Sequence, residues 1–244
     1  MKKYAGWLVV AALLVAGAGC TGAGTSTTTT TTNTNPPPTT STDGRAVLMV
    51  KNSSAALASV SSLNVTIDKV EAHSLTNDWV TLSTASKTYD LVALNHSGSA
   101  ELLADASLPA GTYDQVRVDV SGVNVTATGT TIAAKLPSNS LKIMGNFTVL
   151  AGETTTVTFD IAAGKSLHRT GDGKWIFAPV VRFMSKDHAD IDIDADENVH
   201  EKSGDTESDE NEGMDVNGDM HSNFELQDKL DIDSTGTVKI HTGN

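Results

Sequence analysis

Between residues 44 and 184, apolar and polar positions alternate in short runs. Leu63, Val65 and Ile67 are interleaved with Asn64, Thr66 and Asp68; Val116, Val118 and Val120 with Arg117 and Asp119; Val157, Phe159 and Ile161 with Thr158 and Asp160. Successive side chains of an extended chain point to opposite faces, so each run offers one face to a core and the other to water. Further strand candidates are residues 46–51, 79–82, 89–94, 131–135, 147–150 and 175–184, and Val123 and Val125 continue the alternation past Gly122. Breaks fall at Pro109-Ala110-Gly111, Pro137-Ser138-Asn139, Ala151-Gly152 and Gly171-Asp172-Gly173, all of them turn chemistry. A short helix is expected at residues 99–105, and Pro179 is expected at an edge or a bulge. The pattern predicts an all-β antiparallel sandwich of roughly seven to nine strands.

The ends of the chain follow other rules. Lys2 and Lys3 precede an unbroken apolar run at residues 7–16, about half the length a spanning helix needs, which reads as an export signal. Gly17, Ala18 and Gly19 lead to Cys20, the one cysteine of the chain. That arrangement resembles a lipobox, in which the thiol takes a diacylglyceryl group and becomes the new N-terminus, although Gly17 stands where the pattern usually has Leu. Cleavage after Ala16-Gly17-Ala18 fits ordinary secretion and remains the alternative. In residues 21–42, 12 of 22 positions are Thr, and Pro36, Pro37 and Pro38 stand together. Nothing there can offset the entropy of ordering, so a tether is expected, reaching on the order of 25 Å as a coil and up to roughly 70 Å if stiffened.

Charge divides the chain again. Residues 187–233 hold 18 acidic and two basic side chains, a balance of −16, whereas the remainder holds 12 acidic and 15 basic, or +3. The net charge of −13 excludes a nucleic-acid partner, whose phosphates require a basic surface. A single cysteine excludes an internal disulfide framework. The layout expected is a signal peptide at 1–19, a Thr/Pro-rich linker at 20–43, a sandwich domain at 44–185 and an acidic, partly disordered extension at 186–244. Within the extension, residues 201–213 carry almost no apolar side chain and are expected to be disordered, and residues 237–241 to form a short strand.

LPAGTYDQVRVDV (residues 108–120) and FDIAAGKSLHRTGDGKWIFAPVVRF (159–183), supported by VTIDKVEAH (65–73), WVTL (79–82), YDLVAL (89–94), LPSNSLKI (136–143) and FTVLAGETTTVTFD (147–160), resemble domain-of-unknown-function family 4382. The resemblance covers residues 45–184. It implies an immunoglobulin- or prealbumin-like sandwich behind a lipid anchor on a bacterial or archaeal surface, and it implies no reaction.

The candidate chemistry is sparse. Ser166 and His168 are two residues apart near a hairpin, with no flanking nucleophile-elbow glycines, so a structural role is expected for both. Asp190, Asp192, Asp194 and Asp196 alternate with Ile191, Ile193 and Ala195; if extended, they place four carboxylates on one face, either solvated at a sheet edge or gathering a divalent cation. Asp215, Asn217, Asp219 and Asn223 fall at positions 1, 3, 5 and 9 of a calcium-loop spacing, but Met220 takes the position of the usual turn glycine and Leu226 that of the bidentate acid. Calcium is therefore the one cofactor suggested, with Asp192, Asp194, Asp196, Asp215, Asn217, Asp219 and Asn223 as candidate ligands. The expected function is non-catalytic: a monomeric surface protein held to the membrane through Cys20, with a structural or binding role and an unidentified surface partner. A carbohydrate- or protein-binding module is the alternative, and an exported hydrolase a more distant one.

Overall fold

The alternating runs build two stacked sheets. The computed structural model describes residues 42–222 except 55, 56, 58, 77 and 216, together with the backbone of residues 229–232 and 238–241. The expected signal peptide, Cys20, the expected linker up to residue 41, Asn223 and Phe224 lie outside the described residues. In chain order the elements are β1 (Asp43–Lys51), β2 (Val60–Ser74), β3 (Asp78–Ser83), β4 (Lys87–Asp90), α1 (Leu91–Ser97), β5 (Ala100–Pro109), β6 (Gly111–Ala127), β7 (Thr130–Ala133), β8 (Ser140–Val149) and β9 (Thr154–Ile161). They continue with α2 (Ala163–Ser166), β10 (Leu167–Arg169), β11 (Trp175–Phe177), β12 (Val180–Ile193), β13 (Asn198–Met214) and β14 (Met220–Ser222), and end with the hairpin β15 (Lys229–Ile232) and β16 (Val238–His241).

One sheet is wholly antiparallel: β3 and β4 flank one side of β2, β6 lies on its other side, and β7 and β8 share the far edge of β6. The other sheet runs β12-β9-β1-β5-β13-β14, with β1 and β9 parallel and the remaining pairs antiparallel. Their inner faces share one core, to which Leu48, Val65, Val118, Phe147, Phe159 and Phe183 contribute. These are the apolar members of the alternating runs. The all-β sandwich is as the sequence predicts.

Two local assignments differ from expectation. Residues 89–94 divide between β4 and α1, and the helix expected at 99–105 is instead β5. Asp90 accepts the N–H groups of Val92 (2.9 Å) and Ala93 (3.4 Å) and so caps α1; Gly98, at φ 68°, ends it in the left-handed region. Pro179 separates β11 from β12, and Gly171-Asp172-Gly173 turns β10 into β11 as expected.

The larger difference lies in the acidic region. The boundary expected at residue 185 falls inside β12, which runs continuously from Val180 to Ile193. Residues 201–213, expected to be disordered, belong to the 17-residue strand β13, paired with β12 from Val180↔Gly213 to Ile193↔Val199. Backbone hydrogen bonds make that pairing, so no apolar periodicity was needed to form it. Its acidic side chains find partners on the sandwich: Asp209 receives Arg182 in two parallel hydrogen bonds (2.6 and 2.5 Å), and Glu201 receives Lys186. Arg182 and Lys186 of β12 thus offset part of the negative charge of β13.

Candidate functional site

The β12–β13 hairpin changes the sheet into a ring. β12 pairs with β9 only through residues 181–186. Beyond that point the register slips twice, and His188 takes φ 47°, so the hairpin turns away from β9. Its far end reaches β5, where Asn198 pairs with Glu101 and Val199 with Ala100. The Leu102 N–H also donates to the Glu197 carbonyl (2.9 Å), and Lys87 bridges Glu101 (2.9 Å) and Glu197 (2.5 Å). The strands β12-β9-β1-β5-β13 therefore close on themselves. Val47, Met49 and Val199 form a second buried cluster inside this ring, with Ile191 and Ile193 packed against it. Asp190, Asp192 and Asp194 are exposed on the opposite face. The expected alternation holds there, with the isoleucines half-buried against the cluster inside the ring.

Beside that cluster lies a cavity of about 410 Å³. Met49, Thr158 and Met184 form its floor, Val199 and Glu201 its roof, and Lys51 one side. Glu201 is doubly engaged, by Lys186 and by the Thr156 hydroxyl (2.6 Å). Lys51 stands 3.7 Å from Asp160, which already accepts the Ser53 N–H (2.8 Å).

The hairpin also covers the free edge of the other sheet. Glu212 accepts the Met144 N–H (2.8 Å), Ser185 donates its hydroxyl to the Asn146 carbonyl (2.7 Å), and Glu207 accepts the Thr148 N–H (2.7 Å). Side chains here do what a neighbouring strand would do for β8, blunting an edge otherwise open to pairing. Glu212 is fully buried, and its second oxygen has no partner among the described residues. Burial, with a smaller contribution from the charge of Glu210, pushes its carboxyl up to about 7. Nothing in an acidic, apolar-poor run singles out this residue from its neighbours.

The candidate ligands lie in two separate turns. Asp194 accepts the N–H groups of Asp196 and Asn198 (both 2.9 Å), the Asn198 side-chain amide and His200 (3.3 Å); these bonds hold its carboxyl down at about 2. Asp215 repeats the arrangement with the N–H groups of Asn217 (2.8 Å) and Asp219 (3.0 Å) and with His221 (3.1 Å). Asp192 pairs with Lys202 (2.7 Å). Asp194 and Asp215 are thus occupied in turning the chain, and Asn217 and Asp219 direct backbone N–H groups, not oxygens, at Asp215. One grouping was not anticipated: Asp187, His188 and Asp205 bring ligand-type atoms within 4.8 Å of one another at the bend of the hairpin, with His188 and Asp205 exposed and Asp187 half-buried.

Ser166 and His168 are not assembled for nucleophilic chemistry. The Ser166 hydroxyl donates to the Ala162 carbonyl (2.8 Å) and accepts the Val180 N–H (2.9 Å), tying α2 to the start of β12. Burial lowers the His168 pKa, and its Nε2 has no partner among the described residues.

Residues 46–179, more than half of the chain, match the model of the family described as Domain of unknown function (DUF4382). The chain belongs to this family. Among the curated proteins and the solved structures nothing matches. No helix among the described residues is long and apolar enough to cross a membrane. The DUF4382 match ends just before β12, so the strands that close the ring and roof the cavity lie beyond it.

Proposed function

We propose that this DUF4382 protein is a non-catalytic module displayed on the outer side of a membrane, anchored by a lipid on Cys20 and serving a structural or binding role. The carrying observation is the placement of the one cysteine, directly after a short apolar run and small residues and ahead of a Thr/Pro-rich stretch that leads into β1. The commitment of the Ser166 hydroxyl to two backbone groups supports a non-catalytic role, as do the acidic side chains spent on turns, lysines and the β8 edge. Between the binding alternatives, the cavity inside the strand ring favours a small ligand over a flat protein contact.

Intact-mass analysis of the mature protein tests the anchor. The expected result is an N-terminus at Cys20 carrying a diacylglyceryl group, with Cys20→Ala released from the membrane fraction. An unmodified N-terminus at Gly19, following cleavage after Ala18, would replace the anchored protein with a secreted one.

A further inference from the structure

The cavity at the mouth of the strand ring has the makeup of a ligand site, and its chemistry narrows the ligand. Small-molecule sites favour the mouths of β-barrels, where an apolar lining carries a few placed polar groups. Here the apolar surface comes from Met49, Met184, Val199 and Ala100, and methionines adapt to a flexible body. Of the charged groups, Lys186 and Glu201 neutralise each other and Glu201 also takes Thr156; His200 is turned to Asp194. That leaves two polar groups under-used. The Thr158 hydroxyl, on a residue 8% exposed, has no hydrogen-bond partner among the described residues. The Lys51 ammonium has only Asp160, beyond hydrogen-bond distance at 3.7 Å.

We infer that this cavity binds a small organic monocarboxylate with a short aliphatic body, its carboxylate held by Lys51 and Thr158 and its chain laid against Met49, Met184 and Val199. Lys51 faces Asp160 without a hydrogen bond to it, so its N–H donors can turn to one carboxylate, whereas a phosphate dianion would bring a second negative charge beside Asp160 and Glu201 with no cation to match it. A sugar would meet no aromatic side chain in this lining. The roof is fixed at both ends, by Lys186–Glu201 on one side and by the β5 pairing on the other, so the site is formed before the ligand arrives. The inference deepens the binding role proposed above and is independent of the anchor.

Sodium hexanoate is the probe, with hexan-1-ol as the control for the body alone and sodium acetate as the control for the charge alone. Titration is followed calorimetrically and by NMR of methyl-labelled methionines in the mature protein. Saturable hexanoate binding is expected, shifting the Met49 and Met184 methyls and leaving Met144 unmoved, with both controls and Lys51→Met weaker by about tenfold or more. Thr158→Val, which keeps the shape of the floor, is expected to weaken binding without changing the melting temperature by more than the ligand-free wild type varies. No saturable binding, equal binding of hexan-1-ol, or unchanged affinity in both variants would overturn the assignment. None of these results bears on acylation of Cys20.

Discussion

Replacing Glu212 by Gln separates the burial of this carboxyl from the hydrogen bond it makes. Glu212 has no exposed surface, accepts the Met144 N–H through one oxygen and leaves the other unpartnered among the described residues. Its pKa rises from an ordinary 4.5 to about 7 on folding. Because the folded value is the higher one, the proton is bound more tightly in the folded state. The stability it contributes is complete below pH 4.5 and is lost as pH rises through 7. The rise corresponds to about 3 kcal/mol in all, most of which falls between pH 5 and pH 8. Gln keeps the acceptor for Met144 and removes the titration. Urea unfolding of both proteins at a series of pH values is therefore expected to show E212Q gaining on wild type by about 2–3 kcal/mol from pH 5 to pH 8. A difference that is constant across that range, or one that favours wild type as pH rises, would refute the placement of this carboxyl in a dry seam between β13 and β8.

Three further outcomes follow from the packing. A Cβ at Gly145 would lie 2.4 Å from the Phe183 ring, so Gly145→Ala is expected to cost about 1–3 kcal/mol in thermal or urea unfolding; a neutral result would mean that β8 and β12 are not in contact there. Asp90→Ala removes the cap of α1 and the acceptor of the Leu63 N–H (3.1 Å), and is expected to cost about 1–2 kcal/mol by the same assays. Asp215→Ala is expected to cost about 1 kcal/mol in calcium-free buffer, with calcium shifting the melting temperature of variant and wild type alike. A calcium-dependent gain confined to wild type would show Asp215, Asn217 and Asp219 acting as ligands.

The sandwich was legible because its strands bury one face against the other sheet. Leu63, Val65 and Ile67 must alternate with polar residues for β2 to have an inside and an outside. α1 was missed because its seven residues contain too few turns for a helical period to show, although Asp90 and Gly98 flank it as cap and terminator. β13 was missed for a different reason. Its stability comes from its backbone ladder with β12 and from carboxylates reaching Arg182, Lys186 and the β8 N–H groups, and none of these leaves a hydrophobic signature. An acidic run balanced by cations far away in sequence looks identical to an acidic tail. The cavity was hidden for the same reason, since its floor comes from β1, β9 and β12 and its roof from the strand that composition assigned to disorder.

The claim on which the cavity and the strand ring both rest is that residues 198–212 are a paired strand. Amide hydrogen exchange of the full chain at neutral pH tests it directly. The account predicts that the amides of β13 hydrogen-bonded to β12, around Glu201, Thr206 and Glu210, exchange as slowly as those of β9. Exchange across this segment at the rate of an unstructured chain, with β9 still protected, would contradict it.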